Sequence, residues 1–217
     1  IYMRGQAADY EHWRQLGNES WGWDDVLPYF KKSEDHYAGG DDMHGSGGEW
    51  RVEEQRLSWD ILDKFRAACI AAGIPAIDDF NRGNNEGVGY FQVNQRRGWR
   101  WSSSTAFLAP ARGRKNLTVL TGATAQQIAM EGLKVTGLQF HHHNRVALAG
   151  CRREVILCSG AIGTPQLLQL SGIGAPELLQ SNGIAVRHNL PGVGHNLQDH
   201  LQTVSYTHLR AHETPIN

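Results

Sequence analysis

The 217-residue chain contains no apolar run long enough to cross a bilayer as a helix. It carries no charge excess either: 21 Lys and Arg face 22 Asp and Glu, a formal net charge of −1. That balance excludes a general attraction to nucleic acid or to an anionic membrane surface. Cysteine is scarce. Cys69, Cys151 and Cys158 are odd in number and show no Cys-x-x-Cys spacing, so neither a zinc knuckle nor a disulfide framework is indicated. Reduced, buried thiols and a cytoplasmic setting are the expectation. Also missing is any Gly-x-Gly-x-x-Gly after a strand, the loop that cradles a dinucleotide diphosphate. The three adjacent histidines 141–143 cannot all face one metal from a strand, because alternate side chains point to opposite sides.

What the chain does have is concentrated in residues 152–174. The apolar run Val155, Ile156, Leu157, Cys158 predicts a buried strand of a mostly parallel sheet. Ser159, Gly160, Ala161, Ile162 and Gly163 turn the chain on mostly small side chains. Thr164 is the candidate N-cap of a helix and Pro165 suits its first position, with Leu167, Leu168 and Leu170 on its apolar face. Ser171-Gly172-Ile173-Gly174 ends it. A strand, a small-residue crossing and a helix leave main-chain N–H groups open to something flat or anionic; a tight turn with no ligand has the same shape.

The rest reads in order. Tyr10, Trp13 and Leu16 share a helical face that starts near Ala7 and stops at Gly17-Asn18. Asp24 is expected to cap a second helix carrying Val26, Leu27, Tyr29 and Phe30, with the tryptophans in the core. Residues 35–48, polar and glycine-rich with His36 and His44, predict a surface loop, and Trp50, Val52 and Leu57 a strand. A helix spans residues 58–73, with Ile61, Leu62, Phe65, Ala68 and Cys69 in register. Residues 90–95 alternate as a two-faced strand, and the cluster Arg100, Ser102, Ser103 reads as satisfying a turn. Strands follow at residues 116–121, around Gln126-Gln127, at 135–140 and at 146–149, with turns at Glu131-Gly132 and at residues 141–144. A helix from Pro176 stops at Asn182-Gly183, and a short strand covers 184–188.

The order Gly160-Ala161-x-x-Thr164-Pro165-x-Leu167-Leu168-x-x-Ser171-Gly172-Ile173-Gly174 resembles the second signature of the glucose–methanol–choline (GMC) flavoprotein oxidoreductases. So do Arg4-Gly5 with Asp9-Tyr10, Trp21-Gly22-Trp23, the helix Leu27 to Phe30, Asp79-Phe80-Asn81, Glu86-Gly87-Val88-Gly89, and Asn196 to His200 behind Gly192-Val193-Gly194. Arg100-Trp101-Ser102-Ser103 is most similar to the long-chain alcohol and polyethylene-glycol dehydrogenases of the choline-dehydrogenase branch. The resemblance implies FAD as cofactor and oxidation of a small-molecule alcohol by hydride transfer to flavin N5. A quinone or carrier would be the electron acceptor. An oxidase passing electrons to dioxygen, and a non-catalytic nucleotide-binding module, are the alternatives. The implied setting is the cytoplasm, or the face of the inner membrane.

By position, the resemblance puts Ile1 beside the flavin, Ala125 at the adenosine end through its main chain, and Cys158, Ser159 and Gly160 past adenine and ribose. No catalytic residue is expected within the chain, since the family's histidine pair lies nearer its C-terminus; Asp199 and His200 read as structural. The implied fold is α/β with an α+β portion: a partial FAD-binding domain from residues 1–20 and 110–203, interleaved with an antiparallel-sheet substrate domain at 21–109. The chain is expected to be an internal fragment, inactive alone. Residues 204–217 resemble a translated sequencing adapter, so His208 and His212 receive no role.

Overall fold

In the computed structural model, residues 1–199 are described, and they divide into one unit up to Thr118 and a second from Val119 onward. His200 and the adapter-like tail at 204–217 lie outside the described residues.

In the first unit, the stripe of Tyr10, Trp13 and Leu16 forms α1, Ala7–Gln15. The Gln6 N–H donates to Asp9 Oδ2 at 2.8 Å, and the chain leaves the helix through Gly17 at φ +99°. A 3-10 turn, Glu19–Trp21, leads to α2, Trp23–Ser33. Asp25, not Asp24, closes its start by accepting from the Gly22 N–H at 3.1 Å. Three residues is the reach at which a side chain meets the N-cap amide, and Asp24 is one residue short. Tyr10 packs its ring against Trp13, Trp23 and Phe30 at centroid separations of 5.5–6.0 Å. Only Trp23 is buried among the first three tryptophans; Trp13 and Trp21 stay about half exposed, because two short helices bury a single stripe.

The loop reading of residues 35–48 fails at both ends. β1, Glu34–His36, pairs in parallel with β2, Trp50–Val52, and His36 and His44 are buried. The connection is drawn so tightly onto α2 that a Cβ on Gly45 would stand 1.8 Å from the Lys31 carbonyl oxygen, which leaves glycine alone at that position. Leu57 lies outside β2 and is exposed. α3, Asp60–Ala71, follows the predicted period, yet none of its residues is fully buried. Residues 90–95 are extended but not a strand: they make one bridge, Glu53 to Val93, before the small hairpin of β3, Gln95–Arg96, and β4, Trp99–Arg100. Just upstream Val88 makes an isolated parallel bridge to Ala76, and the two backbones lie so close that a Cβ on Gly89 would stand 2.1 Å from the Ile77 carbonyl oxygen. The helical turn Ser104–Leu108 and α4, Ala109–Ala111, close the unit.

The second unit is built on an antiparallel sheet in the order β5, Ala123–Glu131; β6, Lys134–His142; β7, Arg145–Gly150. Gly132 at φ +59° makes the first hairpin turn, and His143 and Asn144, both at positive φ, make the second. The expected tip at 141–144 therefore narrows to two residues, with His141 and His142 inside β6. Residues 116–121 form no strand; Leu117, Val119 and Leu120 are exposed, and no strand lies beside them among the described residues.

Three further elements complete this unit: α5, Gly160–Leu170; α6, Pro176–Ser181; and the parallel pair β8, Ile173–Gly174, with β9, His188–Asn189. The core is Ile128, Leu167, Ile173 and Val193, ringed by Met130, Val135, Leu138, Leu157 and Leu168. Each fully buried side chain of this kind contributes roughly 1.5–3 kcal/mol. Ser171 joins helix to sheet: its hydroxyl donates to the Leu167 carbonyl at 2.6 Å and accepts from the Ile128 N–H at 2.8 Å.

Two expectations for residues 152–174 are corrected. Residues 154–158 pair with no strand among the described residues; Val155 and Leu157 are half-buried, while Ile156 and Cys158 are exposed. A strand buried on both faces needs packed elements on each, and here only the Val155 and Leu157 side is covered. The helix begins at Gly160 and not at Thr164. The fold is mixed α and β; among the described residues parallel pairing is limited to β1–β2, β8–β9 and an isolated bridge between Ala76 and Val88.

Candidate functional site

Four of the five proposed contact residues lie in the second unit. Cys158, Ser159 and Gly160 form a continuous exposed bend at the start of α5. Gly160 sits at φ +82°, where a side chain is strained, and a Cβ there would meet no other residue within 4 Å beyond its chain neighbours and its own helix backbone. Thr164 serves the turn from inside the helix: its Oγ1 accepts from the Ser159 N–H at 3.2 Å. The next residues, Gly160, Ala161 and Ile162, are exposed. Cys158 is also exposed, against the expectation of buried thiols, and Cys69 and Cys151 are half-buried. Ala125 lies on β5 opposite Phe140, at a register shift before Gln127. β5 has β6 on one side and, among the described residues, no strand on the other; side chains meet that outer edge at Ile128, through the Ser171 hydroxyl, and at Met130, through Arg187.

The eleven-residue α5 begins at this bend, with Gly160, Ala161 and Gly163 small on its first turn and Ile162 standing exposed between them. A contact made by the Ala125 main chain does not depend on its side chain.

Ile1 belongs to the first unit. It is exposed at the rim of a cavity of about 420 Å3, which Trp50, Asn94, Arg100, Trp101 and Ser102 also line. With its amide oriented to satisfy both neighbours, Asn94 donates to the Ile1 carbonyl at 3.3 Å and accepts from the Trp50 indole. Ser102 supports the local turn, as its sequence context suggests: its Oγ accepts from the Thr105 N–H at 3.3 Å.

Behind this segment lies what the sequence reading missed, a buried polar network. The Arg4 guanidinium meets Glu34 at 2.9 Å, Glu34 meets His44 Nδ1 at 3.0 Å, and His44 Nε2 meets Asp79 at 2.7 Å. Arg4, Glu34 and His44 side chains are at most 2% exposed. Glu34 also accepts from the Gly45 N–H at 2.7 Å. Burial pulls the His44 imidazole down, but its bonds to Asp79 and Glu34 outweigh this and raise its pKa to about 9. Burial raises both carboxylates; their bonds to His44 and to main-chain N–H groups, with Arg4 beside Glu34, leave them below their ordinary values. His36 stacks on His44 with centroids 3.9 Å apart, and burial together with the neighbouring charge of His44 lowers its pKa.

Asn81 orders the polar groups around it. Its Oδ1 accepts from the Arg4 N–H at 2.7 Å, and its Nδ2 donates to Gln92 Oε1 at 2.9 Å. The Gln92 amide then donates to His36 Nε2, 3.1 Å away, and the Ala38 N–H lies 3.4 Å from Nδ1 on the other side of the ring. The Arg4-Gly5 and Asp79-Phe80-Asn81 blocks were visible in the sequence, with no means of joining them to each other or to residues 34–44.

The GMC oxidoreductase family model matches residues 1–202. The oxygen-dependent choline dehydrogenase of Pectobacterium atrosepticum is 40% identical over 204 residues, 93% of this chain and 36% of that protein. Human mitochondrial choline dehydrogenase is 38% identical over 202 residues, 93% of this chain and 34% of that protein. Among solved structures, pyridoxine 4-oxidase from Mesorbium loti superposes with a TM-score of 0.82 at 35% identity, covering 88% of this chain and 38% of that one. An FAD-dependent oxidoreductase from Chaetomium thermophilum gives 0.85 at 30% identity, covering 92% and 37%. The chain thus spans a little over a third of the length of these proteins.

Proposed function

Because the chain belongs to the GMC oxidoreductase family, whose members are FAD-dependent flavoproteins, we propose that it contributes the adenosine-facing part of an FAD site and one rim of the flavin pocket in an alcohol-oxidising enzyme. When bound, FAD supplies the two-electron acceptor for oxidation of a CH–OH group. The chain's own residues bind and orient. Cys158, Ser159 and Gly160 present main chain to adenine and ribose, Ala125 offers the β5 edge to the adenosine, and Ile1 faces the flavin. The observation that carries this is the exposed bend at Gly160, held at φ +82°, where a Cβ would meet no other residue within 4 Å beyond its chain neighbours and its own helix backbone.

We assign residues 1–20 and 110–203 to the FAD-binding domain and 21–109 to the substrate side. The substrate is a choline-like or long-chain alcohol, the class to which the choline dehydrogenase relatives point, and the acceptor is a quinone or carrier. Binding of FAD by the 217-residue chain alone is expected to be loose, without alcohol turnover. The test is a fluorescence titration of FAD against the chain, with ADP as competitor. Saturable quenching that ADP reverses is expected, and Gly160→Val should abolish it while far-ultraviolet circular dichroism is unchanged. Absence of saturable quenching, or quenching indifferent to ADP and to Gly160→Val, overturns the assignment. Tight stoichiometric FAD that alcohol bleaches overturns the inactivity of the isolated chain.

A further inference from the structure

The backbone of Tyr2 is gripped from both sides. Its N–H donates to the Gln92 carbonyl at 2.7 Å, and its own carbonyl accepts from Asn81 Nδ2 at 3.3 Å. Its phenol accepts from Arg4 Nε at 3.2 Å. Each gripping group is held in turn by the buried network: Asn81 by the Arg4 N–H, Gln92 by Asn81 and His36, and Arg4 by Glu34. Arg4 also donates to the Met43 carbonyl at 2.7 Å and lies 5.2 Å from the Phe30 ring centroid. An interior chain of this kind costs several kcal/mol in desolvation and is weak evidence for stability, so its extent suggests a geometric role.

We propose that the chain Arg4–Glu34–His44–Asp79, with Asn81 and Gln92 as its hands, is a lock that fixes the backbone of Tyr2 and so sets Ile1 in the position from which it meets the flavin. The flavin clause rests on the function proposed above; the lock itself rests on geometry alone. The residues act by positioning and touch no reacting atom. Facing His44 are Glu34 and His36 from β1, Arg4 from the opening segment, Asp79 and, beyond it, Arg82 at 3.8 Å from Asp79, and Asp41 on its own loop. Arg4 and a protonated His44 balance Glu34 and Asp79, so loss of the His44 proton leaves the interior one negative charge in excess.

Two variants test this in the full 217-residue chain. His44→Gln removes the cation. Asn81→Leu removes the grip on the Tyr2 carbonyl and leaves the ion chain intact, so it carries the test where His44→Gln does not fold. Arg66→Ala, which breaks an exposed ion pair with Asp78, is the control. Amide hydrogen exchange at Tyr2 in the flavin-free chain is expected to accelerate by about tenfold or more in both variants, the scale of one lost buried hydrogen bond, and to stay unchanged in the control. The flavin titration should weaken by about tenfold in the same two variants, with a changed visible circular dichroism of the bound flavin. Unchanged Tyr2 exchange in a folded variant overturns the lock. Faster exchange with unaltered FAD affinity and flavin dichroism overturns its role toward the flavin. A wild-type chain that takes up no flavin overturns that role together with the function proposed above, while the exchange result still decides the lock.

Discussion

Raising the pH should loosen the first unit before the second, because His44 is a buried cation held between two carboxylates. Its pKa rises from 6.5 in the unfolded chain to about 9 in the folded one. At roughly 1.4 kcal/mol per unit this is worth about 3 kcal/mol, and no discount for solvent applies to a side chain only 2% exposed. The sign follows from the direction of the shift. A raised folded pKa stabilises fully below the unfolded value, so the contribution is complete below pH 6.5 and is lost as the pH rises through about 9. Tyr2, which burial raises to about 12, does not titrate in this window. The assay is selective by construction. All seven tryptophans, Trp13, Trp21, Trp23, Trp50, Trp59, Trp99 and Trp101, precede residue 119, so intrinsic fluorescence reads the first unit alone. Its thermal midpoint should fall by on the order of 10 °C between about pH 6.5 and pH 10. His44→Gln should start lower and show a flat alkaline limb. An alkaline limb equally steep in His44→Gln would refute the assignment of the cation.

On the acid side, His36 should destabilise the first unit as the pH falls below 6.5, because its folded pKa is lowered and only the neutral ring stacks on His44 and accepts from Gln92; tryptophan fluorescence of His36→Gln between about pH 6.5 and pH 5 should show that limb flattened. In the second unit, Ser171→Ala strips the buried Ile128 N–H of its acceptor and should cost about 1–3 kcal/mol in urea unfolding followed by circular dichroism, with the tryptophan signal unmoved. Asn144→Gly should leave the β6–β7 hairpin at least as stable, since Asn144 holds φ +59°, and a lower midpoint would contradict the turn assignment. Cys158, exposed at the bend, should react with a thiol reagent well before Cys69 and Cys151, and saturating FAD should slow it; equal rates for all three thiols would contradict the exposed bend.

What could be read from sequence follows the range of the forces involved. The stripe Tyr10, Trp13, Leu16 and the period of residues 58–73 report local backbone geometry, and α1 and α3 appear where they predict. Glycine stops at Gly17, Gly73 and Gly183 are equally local, and each takes positive φ. Strands fared worse because a strand is defined by its neighbour. Residues 90–95 and 154–158 have strand-like composition, but among the described residues the first finds only the single bridge from Val93 to Glu53 before β3 and the second has no partner. The start of α5 was misread because Thr164 looks like a cap; its hydroxyl instead accepts from the Ser159 N–H from a place five residues into the helix.

The network around His44 marks the limit most sharply. Its members Arg4, Glu34, His44 and Asp79 are separated by up to 75 positions, and no periodicity links them. Histidine amid Asp, Gly and Ser has the composition of a solvated loop, and composition is silent about burial once charge is matched by charge. Local signals did exist: Gly45 and Gly48 admit the close approach to the end of α2, where a Cβ would fall 1.8 Å from Lys31 and 2.4 Å from Ser33 main-chain atoms. A glycine-rich polar stretch therefore has two physical readings, a chain free to move and a chain pressed against another. Here the second holds, and the backbone that it presses into place carries the histidine that completes the ion chain behind Tyr2.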